Sequence, residues 1–209
     1  MPKYDHVIFD IDGTLIDTEK AVISSLQKML QTDYNREVSS SDLQFVLGIP
    51  GASALPQLGI TDILVANERW NYFMKDFYSS IKVFDGITDL LNSLQKQGIV
   101  QGVVTSKTME EYQQDFVPFG LTQYLLHRVC ADDTEKHKPN PDPLLKFLEI
   151  SHASPETSIY IGDTIYDYEC ARDAGVDFGL ALWGCKQHEL IPAKYKFETP
   201  RELLKLINS

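Results

Sequence analysis

An apolar run, His6-Val7-Ile8-Phe9, stops abruptly at Asp10-Ile11-Asp12-Gly13-Thr14. Asp, Gly and Thr are ordinary turn residues after a strand, so these carboxylates acquire chemical meaning only through partners elsewhere. Two later apolar runs end in comparable groups. Val100–Val104 leads into Thr105-Ser106-Lys107, and Ser158–Ile161 into Gly162-Asp163-Thr164-Ile165-Tyr166-Asp167. Between them lies Lys136-His137-Lys138-Pro139-Asn140-Pro141-Asp142-Pro143. Its three prolines stiffen the loop. Asp142 and Pro143 suit the N-cap and N1 positions of a helix, which fixes Lys138 just ahead of a helix start. Lys107 is expected to face solvent.

If the strand ends are neighbours, Asp10, Asp12, Asp163 and Asp167 converge. Two bare carboxylates about 4 Å apart repel by roughly 4 kcal/mol at an effective dielectric near 20. Four together need a cation or raised pKa values. A hard, oxygen-seeking ion such as Mg2+ suits an all-carboxylate site without His or Cys. Lys138, Thr105 and Ser106 would then bind a group bearing several anionic oxygens, the set of parts expected for phosphoryl transfer.

The elements that must position these residues follow from periodicity. Strands are expected at 6–9, 100–105 and 158–161, with weaker ones at 128–130 and 178–182. Helices are expected at 88–97, 109–116, 143–149 and 165–174. Strands this apolar, alternating with helices, imply an α/β fold with a Rossmann-like, doubly wound parallel sheet. From about 16 to 83 the rhythm breaks into helix alone, at 19–30, 41–47 and 63–80. That length exceeds a simple crossover and reads as an inserted helical cap domain. The expected organisation is a core of 1–15 and 84–209 with a cap of 16–83, hinged at 15–17 and 83–86.

The chain has 209 residues, 43% hydrophobic and 23% charged, and a net charge of −11. This acidity argues against an electrostatic grip on nucleic acid or an anionic membrane. A small phosphorylated metabolite held by a metal and a few local cations remains compatible. Cys130, Cys170 and Cys185 lack metal-ligand spacing and read as buried thiols of a reducing compartment. With no signal peptide and no run of ~20 apolar residues, a cytoplasmic protein is expected. No GxGxxG follows the first strand, against dinucleotide binding.

The four segments, in this order and at these intervals, resemble the haloacid dehalogenase (HAD) superfamily. The similarity is nearest to its phosphoglycolate phosphatase and β-phosphoglucomutase-like branch. The resemblance implies that Asp10 is a nucleophile forming an aspartyl phosphate. It implies that Asp12 is the general acid and base, with its backbone carbonyl on Mg2+. Thr105 and the Ser106 amide would bind phosphate, and Lys138 would hold nucleophile and phosphate together. Asp163 would ligate the metal directly, and Asp167 directly or through water. The expected activity is hydrolysis of small phosphate monoesters. Dehalogenase and phosphonatase chemistry have no need of Asp12, and a non-catalytic binding protein would be expected to lack one of the four motif residues. A mutase of the β-phosphoglucomutase type would need a cap arginine near Leu47-Gly48-Ile49-Pro50-Gly51-Ala52-Ser53, where no basic residue stands. Lys20, Lys28 or Arg69 would have to substitute. Trp183 and Gly184 are expected to serve core packing.

Overall fold

The first apolar run forms β1 (His6–Phe9), and a turn carries the chain into the two-residue β2 (Ile16–Asp17). The computed structural model describes residues 3–186 and 188–207, so the ends of the expected core segments, 1–2 and 208–209, lie outside it. A helical stretch follows: α1 (Glu19–Tyr34), a 3-10 turn at Ser41–Val46, α2 (Gly51–Ala54), a second 3-10 turn at Leu55–Leu58, and α3 (Ile63–Met74). It returns through β3 (Lys82–Val83), antiparallel to β2 with Ile16 opposite Val83.

Helix and strand then alternate. In chain order come α4 (Ile87–Lys96), β4 (Val100–Val104), α5 (Met109–Glu111), β5 (His127–Val129) and α6 (Asp142–Ser151). After these come β6 (Ser158–Gly162), α7 (Ile165–Ala174), β7 (Asp177–Ala181), β8 (Tyr195–Phe197) and α8 (Pro200–Ile207). Six strands form one sheet in the order β5-β4-β1-β6-β7-β8, every pair parallel.

Alternation along β1 shows why both sheet faces are covered. Val7 and Phe9 pack with α4, α8 and the aromatic residues Tyr112 and Phe116. Ile8, between them, joins Leu144 and Phe147 of α6 and Cys170 and Ala171 of α7 on the other face. Successive strand residues point to opposite faces, and a parallel sheet with helices on both sides buries each set. The inserted stretch has an apolar cluster of its own, including Leu26, Met29 and Leu30 of α1 with Trp70 and Phe73 of α3. Among the described residues, no helix is long and apolar enough to cross a membrane.

Several elements depart from expectation. Residues 41–46 wind as a 3-10 helix and go no further, because Gly48 at φ +86° and Pro50 cannot continue a helix. The helix expected through residue 80 ends at Met74 and tightens into a 3-10 turn, Lys75–Ser80. There the Ser80 hydroxyl donates to the Phe77 carbonyl at 2.7 Å, local bonding that competes with a helix. The helix expected over 109–116 is α-helical only to Glu111 and then widens into a π-helical turn, Tyr112–Phe116. Helix α6 starts at Asp142, one residue earlier than expected, with Pro141 already in helical φ/ψ and no side-chain cap. The short α2, β2, β3 and β8 carry no periodic signal strong enough to read from the sequence; α8 does, its Leu203 and Ile207 buried four residues apart between charged positions, and it adds a helix to those expected.

Candidate active site

The three polar strand ends meet because β4, β1 and β6 are adjacent and parallel, and ligand sites in such sheets lie beyond the strands' carboxyl ends. Asp10 follows β1, Thr105 and Ser106 follow β4, and Asp163 follows β6. Asp10 is 2% exposed. Its Oδ1 accepts from Lys138 Nζ at 2.8 Å, while the buried Oδ2 has no hydrogen-bond partner. Burial pushes the Asp10 carboxyl up to about 7; Lys138 pulls against that shift, and the Asp167 and Asp12 charges add to it.

Lys138 reaches this point from the loop before α6. Its ammonium donates to Asp10 Oδ1, to Asp167 Oδ1 at 2.7 Å and to Tyr160 Oη at 3.0 Å. Burial alone would discharge it, but Asp10 and Asp167 outweigh burial and hold its pKa above the ordinary lysine range. Asp167 is fully buried. Its Oδ2 accepts from the Thr164 amide at 3.0 Å and the Thr164 hydroxyl at 2.6 Å, closing a capping box at the start of α7. Both oxygens of Asp167 are thereby engaged by protein donors.

Tyr160 was not singled out by its sequence context, since a tyrosine in a strand reads as core. Its phenol lies 2.9 Å from the Val104 carbonyl and 3.0 Å from Asp167 Oδ1. Burial, then the Asp167 and Asp10 charges, hold it well above its ordinary pKa. It therefore stays a neutral phenol that accepts from Lys138.

Asp163 Oδ1 accepts from the Thr14 hydroxyl at 3.2 Å. Burial first, then Asp167 and Asp10, raise its pKa well above the carboxylate range. Gly13 sits against it at φ +79°, where a Cβ would stand 2.2 Å from Asp163 Oδ2. Only glycine allows that approach. One oxygen each of Asp10, Asp163 and Asp167 lies within 4.8 Å of the others. Raised pKa values on Asp10 and Asp163, buried carboxylates crowded against Asp167, are what a divalent cation would relieve. The donor set, all oxygen and anionic, fits a hard cation such as Mg2+.

Asp12 stands apart from this trio. Its side chain is 22% exposed, and its Oδ1 is 3.2 Å from Lys107 Nζ. Lys107, expected in solvent, is in fact buried and also lies 3.1 Å from Asp115 Oδ2. Those two carboxylates hold its ammonium inside, just ahead of the capping box of Thr108 and Glu111 that starts α5. Thr105 is buried behind the site, its hydroxyl accepting from the Lys107 amide at 3.2 Å. Ser106 faces inward, and its hydroxyl donates to the Gly48 carbonyl at 2.9 Å.

A cavity of about 160 Å3 opens above Asp10, Asp12 and Asp163, walled by Ser106 and Lys107 from the core and by 46–51, Asn67, Trp70, Asn71 and Met74 from the inserted stretch. Among the described residues its lining includes Ser106 but not Thr105. Trp183 and Gly184, expected only to pack, line it too, and Trp183 donates to the Thr14 carbonyl at 2.9 Å. Of the three basic residues weighed as clamps for a second phosphate, none lines it. Lys28 pairs with Asp76 at 2.8 Å, and Arg69 with Asp33 at 2.8 Å. Lys186 lines it instead, 2.9 Å from Glu19.

Residues 7–181 match the model of the haloacid dehalogenase-like hydrolase family. A protein named "Putative pyrophosphatase PpaX", from Caldanaerobacter subterraneus subsp. tengcongensis, is 31% identical over 98% of this chain and 95% of its own. The pyrophosphatase PpaX of Bacillus thuringiensis (strain Al Hakam) is 27% identical over 91% of this chain and 89% of its own. A crystal structure of a "putative phosphoglycolate phosphatase" from Lactobacillus plantarum superposes with a TM-score of 0.90 at 30% identity, covering 98% of this chain and 99% of that one. The strand-end carboxylates, the fold around them and similarity running almost end to end lead to one assignment: the chain belongs to the haloacid dehalogenase-like hydrolase family.

Proposed function

We propose that this HAD-family phosphatase is a Mg2+-dependent hydrolase of small phosphate monoesters, working through an aspartyl phosphate on Asp10. The observation that carries the reading is the state of Asp10: one oxygen is fixed by Lys138, and the other is buried and unpartnered. A carboxylate held this way presents one lone pair to phosphorus without having to shed water. Asp10 and Asp163, with the Asp12 backbone carbonyl, would hold Mg2+, and Asp167 would stand behind them holding Lys138. When bound, Mg2+ supplies the positive charge that offsets repulsion between Asp10 and an incoming phosphate.

Asp10 Oδ2 attacks phosphorus as the ester P–O bond breaks, and Asp12 gives its proton to the departing oxygen. Asp12, now a carboxylate, takes a proton from water as that water attacks the phosphoaspartate. Inorganic phosphate leaves and both carboxylates return to their starting state. Lys138 stabilises the anionic oxygens throughout, and the Ser106 amide orients the phosphate, with Thr105 behind it fixing the turn through the Lys107 amide.

Residues 16–83 act as a cap over this chemistry, and the small cavity beneath them limits the leaving group to a compact one. The names of the relatives put phosphoglycolate, a monoester, and pyrophosphate, an anhydride whose P–O bond would break in the same step with phosphate as leaving group, at the head of the candidates. A mutase reading would have to rest on Lys186, which Glu19 already holds. A Cβ on Gly51, about where the arginine would stand, would lie 1.9 Å from Asn67 Oδ1, so an arginine there would have to displace Asn67. The test is phosphate release across sugar, nucleotide and organic-acid phosphates and pyrophosphate, with Mg2+ and after chelation. Phosphate release from at least one compact substrate, lost on chelation, is expected. A coupled assay with glucose 1,6-bisphosphate is expected to show no conversion of β-glucose 1-phosphate to the 6-phosphate, and efficient isomerisation without phosphate release would overturn the assignment.

A further inference from the structure

A second buried lysine reaches the site independently of Lys138. Lys107 Nζ lies 3.2 Å from Asp12 Oδ1 and 3.1 Å from Asp115 Oδ2. Asp115 is itself buried. It belongs to the π-helical turn Tyr112–Phe116, a wider winding often found at functional sites. Its other oxygen accepts from the Tyr78 hydroxyl at 2.7 Å. Tyr78 lies in the 3-10 turn that closes the inserted stretch, so an unbroken line of polar contacts runs from that stretch through Asp115 and Lys107 to Asp12.

A group that must first give a proton to a leaving oxygen and then take one from water has to hold its direction within hydrogen-bond reach of both. Lys107 is the one cation within ion-pair distance of the Asp12 carboxylate among the described residues. The contact is an ion pair onto a buried oxygen: Asp12 Oδ1 has no other protein partner among the described residues, so Lys107 alone sets its direction. The side chains of Lys107 and Asp115 are 9% and 7% exposed, against 22% for Asp12. The line is thus anchored at its buried members and ends on the more exposed carboxylate.

We propose that Lys107 is a positioning residue for Asp12, and that Asp115 and Tyr78 tie this positioning to the seating of the inserted stretch on the core. The proposal rests on the phosphatase reading for its kinetic consequence, but not for its structural one. Lys107→Met keeps the length of the chain and removes the charge; Tyr78→Phe removes only the hydroxyl. With the best substrate of the release screen, Lys107→Met is expected to lower kcat by about 100-fold, with KM changed less than about threefold. Tyr78→Phe is expected to lower kcat by roughly 3–10-fold, and by nothing more once Lys107 is gone, the non-additivity of one shared network. A KM rise at constant kcat would make Lys107 a substrate-binding group, and strictly additive effects would separate Tyr78 from it; either result overturns the proposal. Crystal structures of the two variants decide the matter without activity. The Asp12 carboxylate is expected to turn from its native direction in Lys107→Met and to shift less in Tyr78→Phe, and an unmoved Asp12 in both refutes the relay. A wild type that releases no phosphate from any substrate would sink the phosphatase reading alone.

Discussion

Asp10 would carry opposite demands, since burial favours its neutral form and the proposed nucleophilic attack requires its anion. Its folded pKa, near 7, exceeds the ordinary 3.8, so between those values the native state holds a proton that the unfolded chain has released. By linkage, its contribution to stability is fully present below the ordinary value and is lost as pH rises through the folded one. The metal-free protein is therefore expected to lose stability from about pH 4 to about pH 7. Mg2+ bound as proposed would compete with that proton, so the rise in melting temperature on adding Mg2+ is expected to be larger near pH 8 than near pH 5. Thermal unfolding in EDTA and in Mg2+ at both pH values measures it; an equal rise at both would remove Asp10 from the metal site. Asp10→Asn is expected to cut turnover by at least roughly a thousandfold with circular dichroism unchanged, because an amide cannot attack phosphorus. Retention of more than about a tenth of the native kcat would exclude the covalent route.

At the scale of elements, the start of α7 does two tasks at once. Thr164 caps the helix, and its hydroxyl fixes the oxygen of Asp167 that does not hold Lys138. An N-cap threonine contributes about 1 kcal/mol, and a chain this size loses roughly 2–4 °C of melting temperature per kcal/mol. Thr164→Ala is expected to show that loss by calorimetry and, in the same protein, a lower kcat, as Asp167 and then Lys138 loosen. Thr164→Ser keeps the cap oxygen and should recover most of both. A drop in melting temperature with full kcat would mean that Lys138 is held by Asp10 and Tyr160 alone.

For the whole molecule, three side-chain hydrogen bonds join the inserted stretch to the core around the cavity among the described residues, beside the Lys186–Glu19 ion pair. They are Ser106 to Gly48, Asn71 to Glu111 at 2.9 Å, and Tyr78 to Asp115. Against these stands a two-stranded connection, β2 with β3, short enough to flex. Ala21 and Met74 also pack into the main core cluster, so gating, in which a cap excludes water until the substrate is committed, would rest on the thin connection and on polar contacts that can part. A phosphate-mimicking metal fluoride with Mg2+ is expected to slow hydrogen exchange in 47–51 and 67–78 and to narrow the scattering profile. No change at saturating ligand would mean that the cap does not move with occupancy.

What the sequence determined by itself lies along stretches of consecutive residues. The runs of β1, β4 and β6 and the polar groups at their ends are each a local pattern, so Asp10, Asp12, Thr105, Ser106 and Asp163 could be named from spacing. A stiff proline-rich loop named Lys138 in the same way, and a break in the strand–helix rhythm marked the insertion. What only tertiary structure decided depends on residues far apart in the chain. Lys107 is buried because Asp115, from a π-helical turn, and Asp12, from another strand end, surround it, and no local rule announces a π-turn. Tyr160 holds Lys138 through a hydroxyl that hydrophobic periodicity ignores. Lys28 and Arg69 are withdrawn from the cavity by acids far along the chain, while Lys186 enters it from the segment after β7. Asp167 shows both contributions: its place in the first turn of a helix is legible locally, but its bond to Lys138 exists only because the sheet sets β6 beside β1 and the loop before α6 carries the lysine to their ends.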